Sequence, residues 1–438
     1  MGTSTAAACI CCILNTHLSQ LRDAAYGTGW DGWVDLCNQV PRLAATANMG
    51  HVVAAAAPCD VTVVHAIDDA PFPIAGARAV VAEAARSYAY AGVGDRIRLV
   101  EVSGGHGLHP AMRDAAAGAL ARSLGCPAPG PDAPAPLLDH AFAVTHDVAR
   151  AGYPQTTARD AVRLPGEALA ADLDTNPVLV GVARDVAAGL RDRRAPDRAA
   201  VAASLGGTPE PSVRARVTNH VALREGGYGQ RLELTVAPGI VLDALLVLPE
   251  AWGDAAPGVL VTVDEGGKGE ALAGPAAAAA RARGLAVLAP DLRGTGESAA
   301  SEFELATAAW LLDRDLLAQR VDDLRACVRF LSERYSTGQQ LDKARIAVHG
   351  EGAFGLVALL AAALDDDVAG AASTGFVTSL EELLVESPRA TPMAFGFRAL
   401  ETYDLTDLVR LAAPRPALTG GPADDPAALV GRLLGDLA

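Results

Sequence analysis

One stretch of this sequence joins residues whose types and spacing suit chemistry: "RIAVHGEGAFGLVALLAAAL", residues 345–364. Arg345 to His349 alternates and ends in an apolar run, as a buried strand does, and Ala353 to Leu364 is rich in Ala and Leu, as a helix is. Between them lies Gly350-Glu351-Gly352-Ala353-Phe354-Gly355. A strand, a tight glycine turn and a helix serve two unrelated purposes. In G-x-S-x-G the turn presents a nucleophilic hydroxyl. In G-x-G-x-x-G it admits a pyrophosphate to a helix N-terminus. Gly350, Gly352 and Gly355 fit the second spacing as written, and the first only if a glycine stands where the serine belongs.

Either device needs a sheet to position it. Strands are expected at residues 9–14, 61–67 and 97–102, with helices over 74–90 and 110–124. In the later part strands are expected at 231–236, 240–248, 258–263, 285–289, 368–373 and 416–420, and a long amphipathic helix over 312–334. Strands alternating with helices imply a mostly parallel sheet covered on both faces. The proline-rich "CPAPGPDAPAP" marks a linker after residue 125. The organisation expected is therefore a first block over 1–125, a linker over 126–155, a polar helical extension over 156–213 and a second block over 214–438.

Bulk properties exclude several classes. Half of the 438 residues are hydrophobic, which suits packed cores. The formal net charge is −16, and Lys268 and Lys343 are the only lysines, so nucleic acid and anionic membrane surfaces are not expected partners. Acidic substrates are disfavoured unless local arginines override that field. No apolar run is long enough to span a bilayer. The seven cysteines, Cys9, Cys11, Cys12, Cys37, Cys59, Cys126 and Cys327, lack paired zinc spacing, and because Cys9, Cys11 and Cys12 lie in an apolar run they read as buried free thiols. The N-terminus lacks the basic region of a signal peptide, which leaves the compartment unassigned. Nothing in the sequence specifies an oligomeric state.

An internal repeat links the blocks. "ANMGHVVAAAAPCDVTVVHAIDD", residues 47–69, aligns without a gap to "YDLTDLVRLAAPRPALTGGPADD", residues 403–425. Each has a short helix, Ala-Ala-Pro, a strand and a double aspartate. Pro58 matches Pro414 and Asp69 matches Asp425, which points to duplication.

On these residues the first block resembles the last third of an α/β-hydrolase. It is most similar to the acetyl-xylan-esterase and dienelactone-hydrolase-like group, which also approaches the prolyl-oligopeptidase peptidases. The resemblance implies that Asp69, ahead of Phe72-Pro73, is the triad aspartate, and that His106, in Gly104-Gly105-His106-Gly107, is the triad histidine. A base on a loop, held in its tautomer by a carboxylate, is what such a site needs. The bland alternatives are a helix N-cap for Asp69 and a solvated turn for His106. The second block resembles the front of the same fold. "GLAVLAPDLRGTGES", residues 284–298, matches the strand-4 turn, with Asp291, Arg293, Gly294, Gly296 and Ser298 in place. "VTVDEGGKGEAL" stands where the oxyanion loop would be, so Gly266 and Gly267 either leave amides free for an oxyanion or form an ordinary turn.

The expected fold is thus α/β, a mostly parallel doubly wound sheet of α/β-hydrolase type, in one partial and one near-complete degenerate copy. Gly352 occupies the nucleophile position, and no histidine follows Asp425. The first block begins near strand 6, which would put its serine upstream of Met1, as in a truncated tandem hydrolase. A carboxylic-ester hydrolase of acetyl-xylan-esterase type is implied, acting on a small ester or acetylated carbohydrate, needing no metal or organic cofactor, and inactive for want of its nucleophile. Two alternatives stand beside it: a non-catalytic pseudohydrolase that binds a glycan or partner chain, and an NAD(P)-binding oxidoreductase built on Gly350-x-Gly352-x-x-Gly355. The last lacks an acidic residue at the end of the next strand, where Ser373 and Thr374 stand instead.

Overall fold

The structure is a computed structural model. It describes residues 7–9, 42–70, 72–127, 195–222, 227–249, 257–312, 314–334, 341–380, 383, 396 and 399–436. The chain divides into two compact units, Met1–Pro177 and Val178–Ala438. The proline-rich linker and most of the expected helical extension, residues 128–194, lie outside the described residues, as do residues 10–14 of the first expected strand.

In the first unit three parallel strands pair in the order β1 (Ala7–Cys9), β2 (Val61–Ala66) and β3 (Ile97–Val102). Every residue of β2 is buried, as expected for the middle strand of a covered parallel sheet. Its alternate side chains enter two different cores. Val61 and Val63 pack with Met49 and Val53 of α1 (Met49–Ala54) and with Val80, Ala84 and Tyr88 of α2 (Ile74–Tyr90). Val64 and Ala66 pack with Met112 and Ala116 of α3 (Pro110–Leu124). A period of two in the strand thus becomes a helix on each face. α3 opens on a proline at its first position and ends on Gly125 at φ 65°, the left-handed conformation that commonly stops a helix.

The second unit holds an eight-stranded sheet in the order β11-β10-β9-β7-β8-β6-β5-β4. Along the chain come α4 (Arg198–Ser204), β4 (Arg214–Ala222), β5 (Tyr228–Ala237), β6 (Ile240–Leu248), β7 (Val259–Val263), α5 (Lys268–Ala273), α6 (Pro275–Arg281), β8 (Ala286–Pro290), α7 (Glu302–Leu311), α8 (Leu316–Arg334), β9 (Ile346–Glu351), α9 (Phe354–Leu364), β10 (Gly370–Thr374), α10 (Leu405–Ala412), β11 (Ala417–Thr419) and α11 (Pro426–Asp436). Strands β7 to β11 run parallel, while β4, β5 and β6 join antiparallel at one end. The sheet again separates two cores. Val259, Val261 and Val263 face the larger one, with α8, α9 and α10; Leu260, Val287 and Ala347 face the smaller, with α6 and α11. α9 is apolar and buried all round, so it shows no amphipathic stripe. Each of its fully buried leucines, Leu356, Leu359 and Leu360, stabilises the fold by roughly 1.5–3 kcal/mol through burial.

Two elements depart from the expectation. β4 was not foreseen, because only Ala215 and Val217 in its first half face the core and every residue from Thr218 to Ala222 is exposed; a register shift between Val217 and Asn219 twists this edge strand further. The long helix expected over 312–334 forms as the single helix α8, which starts at Leu316, where Asp315 accepts from the Ala318 amide at 2.9 Å; α7, ahead of it, was not foreseen.

The repeat segments share local build. Asn48 and Asp404 each close a capping box, with His51 and Asp407 respectively. Each helix leads through an Ala-Pro pair, whose peptide bond is cis at both Pro58 and Pro414, into a parallel strand. Asp404 also accepts from Ser379 Oγ and the Leu380 amide, both at 2.7 Å. Replacing Asp404 with alanine should therefore destabilise the second unit by about 1–2 kcal/mol, at the upper end for a lost N-cap. Urea denaturation reads this as a lower midpoint at unchanged slope.

Candidate functional site

In the first unit both expected site residues lie beyond the C-terminal ends of neighbouring strands. Asp69 follows β2 and His106 follows β3, and the structure brings them together: His106 Nδ1 is 3.2 Å from Asp69 Oδ2. The other carboxylate oxygen, Oδ1, accepts from the Phe72 amide at 3.0 Å. The N-cap-like role and the histidine partnership, alternatives in the sequence, are thus held at once, one by each oxygen. Asp69 is 10% exposed and the imidazole 51%. The buried partner fixes the carboxylate, and the exposed one leaves Nε2 toward solvent. Among the described residues no Ser or Cys hydrogen-bonds His106. The loop that carries it is anchored by the preceding aspartate: the Asp68 amide donates to Gly104 O at 3.0 Å, and the Gly104 amide to Asp68 Oδ2 at 3.4 Å. Sequence reasoning missed Asp68 as a loop anchor and Phe72 as the neighbour of the imidazole, with ring centroids 5.5 Å apart. The only signal for Phe72 was its place beside Asp69.

In the second unit the strand–turn–helix at residues 346–364 forms as expected, and its three glycines have three reasons. A Cβ on Gly350 would stand 2.0 Å from Phe354 O, and one on Gly355 would stand 1.9 Å from Ser373 Oγ, so both are required by close packing of α9 on the strands. Gly352 is required by neither. It has φ +57°, and a Cβ there would meet nothing within 4 Å. The bend therefore keeps the left-handed residue and the open space that a projecting side chain needs, and carries no side chain. The Gly352 amide donates to Thr374 O at 2.8 Å, so it is not turned toward a phosphate.

Beneath the bend runs a hydrogen-bond chain that the sequence did not reveal. Thr262 Oγ1 is 2.8 Å from His349 Nδ1, and His349 Nε2 is 2.7 Å from Thr374 Oγ1, which also bonds Glu351 Oε2. With Glu351 ionised, Thr374 spends its one hydroxyl proton on the carboxylate and must accept from His349 Nε2–H. His349 Nδ1 then accepts from Thr262. Polar residues near the ends of three otherwise apolar strands were the available signal. Burial pushes the His349 imidazole down to about 4.

The loop after β7 resolves the question left open for Gly266 and Gly267. The Gly266 amide donates to Asp264 Oδ1 at 2.7 Å and the Gly267 amide to Asp264 O at 3.0 Å. Both are spent within the turn, so neither is an oxyanion donor. This loop is locked to the strand-4 turn by Asp291, 1% exposed, which accepts from the amides of Lys268 at 2.6 Å and Glu297 at 3.0 Å and binds Lys268 Nζ. Burial pulls the Lys268 ammonium down, but Asp291 and Glu297 outweigh it and hold it above the ordinary lysine value. Arg293 is committed too, to Asp323 and Gln319. No group of three or more His, Cys, Asp or Glu among the described residues could hold a metal ion. No described helix is long and apolar enough to cross a membrane.

No protein-family model matches the sequence, and no curated protein matches it. Solved structures do. One, from Bacteroides fragilis and assigned as an acetyl xylan esterase, gives a TM-score of 0.42 at 16% identity, over 58% of this chain and 73% of that one. A glucuronoyl esterase from Solibacter usitatus gives 0.38 at 15% identity, over 54% and 80%. Acetyl xylan esterase 1 from a Thermoanaerobacterium species gives 0.35 at 16%, over 56% and 86%.

Two expectations follow from the bend and the chain beneath it. Gly352→Ala should cost about 1–2 kcal/mol, the ordinary penalty for a side chain in the left-handed region. Gly350→Ala should cost well over twice that, because backbone must move; thermal denaturation of the two variants separates them. His349 has a folded pKa of about 4 against 6.5 for the free side chain, so the unfolded state takes the proton first. Its contribution is complete above pH 6.5 and is lost as the pH falls toward 4, with a slope approaching about 1.4 kcal/mol per unit. In His349→Gln, urea midpoints measured from pH 7 to pH 4 should lack this component.

Proposed function

We propose that this chain derives from serine-type carboxylic-ester hydrolases and retains the acid–base half of such a site in its first unit, while the bend of its second unit has lost its nucleophile. The observation that carries the reading is the Asp69–His106 contact, with the far carboxylate oxygen pinned by the Phe72 amide. In this reading Asp69 holds the proton on Nδ1, which leaves Nε2 as the base. A serine hydroxyl placed at Nε2 would give up its proton as it attacked the acyl carbon. The same imidazole would then return the proton to the departing alcohol. No metal or organic cofactor enters these steps.

The resemblance to acetyl-xylan-esterase-like hydrolases makes a small acyl ester of a carbohydrate the substrate class. The half-exposed imidazole suits a group delivered on a larger alcohol. At the second bend Gly352 offers only a bare α carbon, so this unit supports binding rather than turnover. Glu351 does not replace the serine, because its carboxylate is engaged by Thr374. A dinucleotide reading finds little support in the same loop, whose Gly352 amide is already bonded and whose following strand ends in Ser373 and Thr374.

Hydrolysis of p-nitrophenyl acetate tests the absence of a nucleophile. The chain should show no turnover above His106→Ala, and a rate that this substitution abolishes would overturn that half of the reading. The acid–base half is tested separately by 15N NMR of His106. The neutral imidazole should carry its proton on Nδ1, and Asp69→Asn should shift it to Nε2, because an amide donates where the carboxylate accepts. An unchanged tautomer in Asp69→Asn would refute the pairing.

A further inference from the structure

We infer that Phe72 is a positioning residue for the acid–base pair, acting on both of its members; this rests on the reading of Asp69 and His106 given above. The imidazole sits in a loop with glycines on both sides. Gly104 and Gly107 each have φ 131°, a region open to glycine and little else, so the loop backbone does little to restrict the ring. Asp68 anchors the base of the loop through Gly104, two residues before His106, and makes no hydrogen bond to the ring among the described residues. Among the described residues the ring makes one hydrogen bond, to Asp69, and has one aromatic neighbour, Phe72, with centroids 5.5 Å apart and planes tilted by 33°. That separation lies within the range in which aromatic rings attract beyond their buried area.

Phe72 is 4% exposed, and among the described residues it joins neither of the two apolar cores of its unit. Its backbone N–H meanwhile fixes the rotation of the Asp69 carboxylate through Oδ1, which aims Oδ2 at Nδ1. One residue thus sets the acceptor with its amide and backs the donor with its ring. With the ring removed, a half-exposed imidazole on a glycine loop should sample orientations in which Nδ1 leaves Asp69. The tautomer would then no longer be enforced.

The test is 15N NMR of His106 in the full chain. Phe72→Leu should fold, keep the Asp69 cap through its unchanged amide, and lose the dominance of the Nδ1–H form. Phe72→Tyr, which keeps the flat face, should restore it. Val80→Ala, a truncation in the apolar core on the α2 side, should lower the thermal midpoint and leave the His106 tautomer alone, so a loss of stability by itself does not mimic the effect. Should Phe72→Leu not fold, Phe72→Met provides the same readout with similar bulk. A wild-type tautomer in the leucine or methionine variant, alongside an altered one in Asp69→Asn, overturns the role of Phe72. An unaltered tautomer in Asp69→Asn removes the acid–base pair itself, and this inference with it.

Discussion

The approach of α9 to β9 and β10 is the constraint on which the second unit depends. Gly350 and Gly355 let helix backbone pass where any side chain would collide, and this closeness turns the chain sharply enough to need a left-handed residue at Gly352. Once α9 lies there, its apolar surface closes the larger core on the sheet. The buried chain of Thr262, His349 and Thr374 satisfies the polar groups that the same closeness would otherwise strand. Ser373 Oγ, which has no hydrogen-bond partner, is what that packing leaves unsatisfied. The bend is thus maintained by packing, which explains how it keeps its shape with no side chain at its apex.

The two units meet different demands at the same kind of place, the C-terminal ends of parallel strands. In the first, the strand ends deliver side chains that meet one another, a carboxylate and an imidazole. In the second, they deliver side chains that are consumed internally: Asp264 by the amides of its own turn, Asp291 by Lys268 and Glu297, Glu351 by Thr374. A strand end whose polar groups are all paired is stable and chemically quiet. One that leaves an imidazole half exposed has kept a group available.

Much of the fold was legible because the elements are strongly patterned. The helices over Ile74–Tyr90 and Pro110–Leu124 and the strand over Ile97–Val102 could be read to their ends, since apolar period, proline and glycine agree there. β4 was illegible because its inward alternation is short, Ala215 and Val217, and gives way to exposure from Thr218 onward, and α7 because it is apolar over most of its length and shows no clear amphipathic stripe. At the site, Asp69 and His106 were found through the resemblance of their surroundings to a hydrolase, and the distance between them could not have been. Asp68, Phe72 and the His349 chain were missed for one reason. Their roles depend on which atoms face each other across strands, and composition does not carry that information.

The repeated double aspartate separates what sequence can say from what geometry adds. In the second unit Asp424 accepts from the Gly421 amide at 2.8 Å, and Asp425 accepts from the Ala427 amide at 2.9 Å at the start of α11. In the first unit Asp68 likewise steadies a glycine turn and Asp69 likewise accepts an amide at the start of a helical segment. Up to this point the pairs do the same local work, and that work alone would favour keeping both aspartates. The difference is one oxygen. Asp69 Oδ2 reaches an imidazole supplied by the next strand's loop, whereas the second unit's sheet ends at β11 among the described residues, with no histidine loop beside Asp425. Helix capping therefore accounts for the motif, and only the partner on the second carboxylate oxygen distinguishes a capping aspartate from one that could orient a base.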